Sequence, residues 1–123
     1  MKEYNMNFPA AGTVILAYPG GSAMGRISHN VMVEMDKKGL GDAFCLSGVG
    51  AELPKFVDDS KAARTIVIDG CGVGCAKKIF EKSGLVPSQY FVISDLGIEK
   101  RHAFDKLSEE RTMAFKSMPF SVV

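Results

Sequence analysis

The 123-residue sequence predicts one α/β domain, a three-layer fold with an open, mainly parallel four-stranded sheet and helices on both faces. Three observations predict it. Short β-branched runs alternate with segments of helical period, the pattern of successive βα units. The clearest runs, Thr13–Ala17 and Arg64–Asp69, are nearly continuous in apolar residues, as strands covered on both faces are. An apolar content of 46% in a chain of this length fills a conventional core, so no metal or disulfide staple is needed merely to fold.

The elements follow in order. Thr13-Val14-Ile15-Leu16-Ala17 is the first strand. After a glycine turn, Met24, Ile27, Val31 and Met35 recur at spacings of three and four and predict an amphipathic helix. Ser22 is placed to cap it, and Gly39 closes it after Lys37 and Lys38, whose charges suit the negative helix end. Ala43-Phe44-Cys45-Leu46 reads as a short second strand, and residues 53–63 as a helix with Leu53, Phe56 and Val57 inward. The third strand runs straight into Gly70-Cys71-Gly72-Val73-Gly74-Cys75, then a helix through Phe80 that Gly84 ends. Residues 89–94 form the fourth strand, leading to Asp95-Leu96-Gly97. Residues 105–118 read as a last helix with Leu107, Met113 and Phe115 toward the core. Right-handed crossovers then favour a flavodoxin-like order, 2-1-3-4.

The whole chain, 1–123, reads as a single domain, with 1–12 and 118–123 as tails. Met118-Pro119-Phe120-Ser121-Val122-Val123 is apolar enough to pack on the body or on a second copy. A net charge of +1, with acids and bases scattered, gives no nucleic-acid footprint. No apolar run is long enough to span a membrane. The first residues, Met1-Lys2-Glu3-Tyr4-Asn5-Met6-Asn7, lack the layout of a signal peptide, so a cytoplasmic location is expected. In a reducing compartment the three cysteines read as thiols, metal ligands or redox groups rather than a disulfide framework.

In open parallel sheets, function gathers beyond the carboxyl ends of the strands. Three segments are predicted there: residues 18–25, the stretch from Cys45 to Gly50, and residues 69–75. All three cysteines thus fall on one rim. Cys75 lies in the first turn of its helix, where N–H groups and the positive dipole end favour anionic sulfur. Cys71 sits in a loop whose glycines, Gly70, Gly72 and Gly74, allow it to bend toward Cys75. With Cys45 on the neighbouring rim, the set suits a soft metal, zinc before others. Bland alternatives stand beside this reading. Cys45, between Phe44 and Leu46, also fits an inert buried thiol. Asp69 fits either a cap or turn residue or one that orients a ligand. His29 reads as a surface residue, and His102 is a candidate extra ligand.

Gly20 to Ile27 runs G-x-x-x-x-G-R-I, lacking the lysine and hydroxyl of a phosphate-binding loop. Gly20, Gly21 and Ser22 are better read as backbone N–H groups lining the same crevice, a candidate place for a cofactor or small anion.

At Asp69-Gly70-Cys71-Gly72-Val73-Gly74-Cys75-Ala76 the sequence resembles the DGC domain family of small bacterial and archaeal proteins, regarded as zinc-binding. The likeness extends over Gly20-Gly21-Ser22 with Gly25, Cys45-Leu46-Ser47-Gly48-Val49-Gly50 and Asp95-Leu96-Gly97-Ile98-Glu99-Lys100, from about residue 13 to 102. The resemblance implies a metal site of four cysteines, three of which match Cys45, Cys71 and Cys75. Tyr18, or Pro19 in another alignment of the turn, stands where the family has its first cysteine. Water, His102, Asp95 or an outside ligand is then left to complete a zinc site. Four functions remain open on the residues alone. They are metal binding, thiol redox or transfer chemistry at Cys75 and Cys71, a three-cysteine iron–sulfur cluster, and a small-molecule or anion-binding module. The expected partners are a metal ion and, at the same rim, a small molecule or protein.

Overall fold

Residues 12–96 and 107–118 are described by the computed structural model. They form β1 (Thr13–Ala17), α1 (Ala23–Lys37), β2 (Asp42–Ala43), α2 (Leu46–Gly50), α3 (Pro54–Ala62), β3 (Arg64–Asp69), α4 (Cys75–Lys82), β4 (Gln89–Val92), a 3-10 turn (Ile93–Leu96) and α5 (Leu107–Ser117). The sheet is parallel throughout, in the order β2-β1-β3-β4, as the sequence predicts. No helix among the described residues is long and apolar enough to cross a membrane.

Alternation along β1 and β3 divides the core into two layers. Ile15, Ala17, Ile66 and Ile68 face α1 and α5, where Met24, Ile27, Val31 and Met35 are fully buried. Val14, Leu16 and Val67 face the other way, against Leu46, Val49, Ala76 and Phe80. Burying a large aliphatic side chain stabilises the fold by about 2 kcal/mol, so the two apolar faces of β1 and β3 explain why these strands sit at the centre.

The helix limits follow local chemistry. Ser22 Oγ accepts the Gly25 N–H at 3.3 Å and caps α1. Gly39 leaves the helix at φ +76° and Gly84 leaves α4 at +71°, conformations that glycine adopts without strain. Pro54 opens α3 at its first position, where a missing N–H costs nothing.

Several expectations need correction. The second strand is only Asp42–Ala43; Phe44 adds one more ladder bond, its N–H to the Ile15 carbonyl at 2.9 Å. The chain then turns into α2, because Leu46 and Val49, three residues apart, are both buried. Gly48 permits the turn, since a Cβ there would lie 2.5 Å from the Phe56 ring. Leu53 is not an inner residue of α3 but precedes it, 47% exposed. Met113 is likewise 47% exposed, and Ala114 and Met118 fill the core instead. Met118, the first residue of the expected C-terminal tail, is thus packed. The fourth strand ends at Val92, two residues early. His102, residues 97–100 of the family-like segment and the tails 1–11 and 119–123 lie outside the described residues.

Candidate functional site at the strand ends

The site grows out of the sheet's central pair. β1 and β3 are neighbours, yet their following helices cover opposite faces of the sheet. The chain therefore parts at their carboxyl ends and leaves a crevice, the switch point of an open α/β sheet. Residues 18–25 form one wall and residues 69–75 the other, around a cavity of about 230 Å³.

The first wall is tied down closely. Tyr18 extends the β1–β3 ladder by one bond, its N–H to the Ile68 carbonyl at 3.1 Å. Ser28 Oγ lies 2.6 Å from the Tyr18 carbonyl oxygen and 2.8 Å from that of Gly25, sharing its proton between them. Gly25 and Gly70 pack main chain to main chain. A Cβ on Gly25 would lie 2.6 Å from the Gly20 nitrogen, and one on Gly70 would lie 2.8 Å from the Gly25 nitrogen.

The second wall depends on Asp69, only 1% exposed at the end of β3. Its Oδ1 accepts the Ala76 N–H at 2.8 Å and its Oδ2 the Lys77 N–H at 3.1 Å. Tyr90, one strand over, donates its hydroxyl to the same Oδ2 at 2.7 Å. Asp69 is thus the cap of α4, delivered from the strand, while the residue in the cap position, Gly74, is left-handed at φ +72° and has no side chain to give. Charge on the carboxylate is balanced by N–H donors and the helix dipole. Burial, the bond to Asp69 and repulsion from that carboxylate raise the Tyr90 hydroxyl well above its ordinary value of 10.0, so it stays a donor. Lys77 Nζ lies 5.4 Å from the centre of the Tyr90 ring and covers it.

Cys71 and Cys75 both line the cavity, with Tyr18, Gly20, Gly21 and Ser22 across from them. Both sulfurs are free thiols on half-buried residues. Cys45 is placed differently. It is exposed, its Sγ accepts the Gly48 N–H at 3.3 Å as the cap of α2, and it is not among the residues lining the cavity. Among the described residues no three His, Cys, Asp or Glu side chains gather closely enough to hold a metal ion. His29, half-buried on α1, and Asp95, exposed in the 3-10 turn, also stay outside the lining.

Tyr90 escapes prediction from sequence. For Tyr90 a signal exists in the register: Tyr90 pairs with Val67, so it shares a face with Asp69 two residues on.

Fold and site together define an open parallel α/β domain with a cysteine-lined crevice at its switch point. The chain belongs to the DGC domain family, whose model matches residues 14–118. It is also similar to the anaerobic and virulence modulator AnvM of Pseudomonas aeruginosa. That match is 25% identical over 103 residues, spanning 83% of this chain and 79% of the relative. No solved structure matches the chain.

Proposed function

We propose that the crevice binds a thiophilic metal ion, zinc before others, through the sulfurs of Cys71 and Cys75. The supporting observation is their shared place on the wall of one cavity at the switch point. Thiolates are the ligand type that selects zinc and other soft metals. In number the set falls short, because structural zinc takes four ligands and the described residues gather no third. Two sulfurs therefore describe an open site, whose other positions fall to water or to an incoming ligand.

A bound zinc ion supplies a Lewis-acidic centre with exchangeable positions. The chain's own residues hold the site rather than react in it. Asp69, the buried carboxylate beside the sulfurs, has both oxygens engaged by α4 and Tyr90 and is not free to act as a base. Metal holding or hand-over fits this arrangement better than hydrolysis. The relative AnvM is named a modulator, and we extend a modulating rather than catalytic role to this chain.

Elemental analysis of protein purified without chelator or affinity metal tests the reading. Stoichiometric zinc is expected, lost on combined Cys71→Ser and Cys75→Ser substitution while cooperative unfolding persists. The Cys45→Ser protein, measured alongside, reports whether the third sulfur joins. Metal content unchanged in the double variant would sink the proposal, as would failure of the unaltered chain to take up zinc.

A further inference from the structure

We infer that Cys71 and Cys75 form a reversible dithiol–disulfide couple, so that the crevice alternates between a dithiol that binds metal and a disulfide that does not. The couple itself stands on the loop geometry; only its consequence for metal rests on the reading above.

Residues 71–74 form a tight turn, closed by the Gly74 N–H to the Cys71 carbonyl at 3.2 Å. Such a turn folds the chain back so that Gly74, the residue before Cys75, lies within about 7 Å of Cys71, Cα to Cα. Cys75 follows directly, and both cysteines line the same cavity. The two ends differ in firmness. Cys75 stands at the start of α4, which Asp69 anchors. The loop carrying Cys71 has a free tip: a Cβ on Gly72 would meet nothing within 4 Å, and Val73 is 54% exposed. Gly72 and Val73 therefore offer no packing against a movement of Cys71 toward Cys75. Cys45 is exposed and outside the cavity, so it is not the natural partner of either sulfur.

The oxidant is a low-molecular-weight disulfide. One cysteine, as thiolate, attacks a sulfur of that disulfide, and the sulfur–sulfur bond breaks to release a small thiol and leave a mixed disulfide on the chain. The other cysteine attacks the mixed disulfide, forms the Cys71–Cys75 bond and releases the second small thiol. The chain loses two electrons and two protons, and the small disulfide gains both. A dithiol reductant reverses the sequence.

The experiment uses the full-length chain, stripped of metal and incubated with oxidised glutathione, then alkylated and digested for mass mapping. The expected result is loss of alkylation at Cys71 and Cys75 together, a Cys71–Cys75 cross-linked peptide, Cys45 still alkylated, and recovery of all three thiols with dithiothreitol. Zinc uptake should vanish in the oxidised chain and return on reduction. In Cys71→Ser and in Cys75→Ser, the remaining cysteine should instead retain a stable glutathione adduct. The inference is overturned if the unaltered chain keeps both thiols, accumulates only glutathione adducts, or pairs Cys45 with either. The two readings fail separately: thiol loss without any zinc uptake by the reduced chain keeps the couple and removes the metal site. Zinc uptake without thiol loss does the opposite.

Discussion

The two loops that meet at the crevice both start a helix soon after a strand, by different means. After β1, the cap is local: Ser22 accepts an N–H three residues on. After β3, the cap comes from the strand itself, with Asp69 reaching the N–H groups of Ala76 and Lys77 across seven and eight residues. The difference decides what each loop is free to do. A loop that supplies its own cap is fixed by it. Residues 70–74, relieved of capping, can consist of glycines, a valine and a cysteine and still lead into a well-anchored helix. The first loop braces the crevice, and the second presents sulfur to it.

That contrast is open to direct attack by substitution. The largest effect is expected where the loops touch. Gly70→Ala puts a Cβ 2.8 Å from the Gly25 nitrogen and the Met24 carbonyl carbon and should destabilise by about 3 kcal/mol in denaturant unfolding. A loss under a third of that would mean that the walls are not braced against each other. Asp69→Ala comes next. It strips two N–H groups and the Tyr90 hydroxyl of their acceptor, for a cost of about 2 kcal/mol. Ser22→Ala should cost about 1 kcal/mol, visibly less than the remote cap. Equal costs for the two caps would erase the distinction between the loops. Gly72→Ala, with open space around its Cβ, should shift stability by less than about 0.5 kcal/mol.

Alkaline titration sharpens the same point. Tyr90 holds its proton more tightly in the folded chain, chiefly through burial and then through Asp69. Its contribution is complete below the ordinary phenol value of 10.0 and declines as pH rises through the higher folded value. Tyr90→Phe should remove that alkaline decline and lower stability at neutral pH by about 1 kcal/mol. An unchanged slope above pH 10 in the Tyr90→Phe protein would show that the phenol does not hold the cap in place.

What the sequence made legible follows from the range of the interactions involved. The continuous apolar runs of β1 and β3, the period of Met24, Ile27, Val31 and Met35 and the cap at Ser22 are local patterns, and the structure carries each of them. The strand order is among the few that right-handed crossovers leave open, and it brings residues 18–25 to meet residues 69–75. Cys45 shows where local pattern fails. Residues 46–50 are too few to display a helical period, two of them are glycines, and a short apolar run there reads as strand. Burial of Leu46 and Val49 overrides that preference and turns the thiol into a helix cap. The Asp69–Tyr90 bond was hidden for another reason, its partners being 21 residues apart and joined only through the register of β3 and β4.

The contact among Gly20, Gly25 and Gly70 has a consequence for selectivity. With bare main chain on each side, that seam has no rotamers to repack, so a guest pressing on it finds no side chain there to push aside. Compliance is left to the side chains beside it, Tyr18 and Ser22 on one wall and Val73 on the other. Such a pocket discriminates by calliper, its span set by a rigid hinge and its grip by a few movable side chains, and it should reject bulk before it rejects charge.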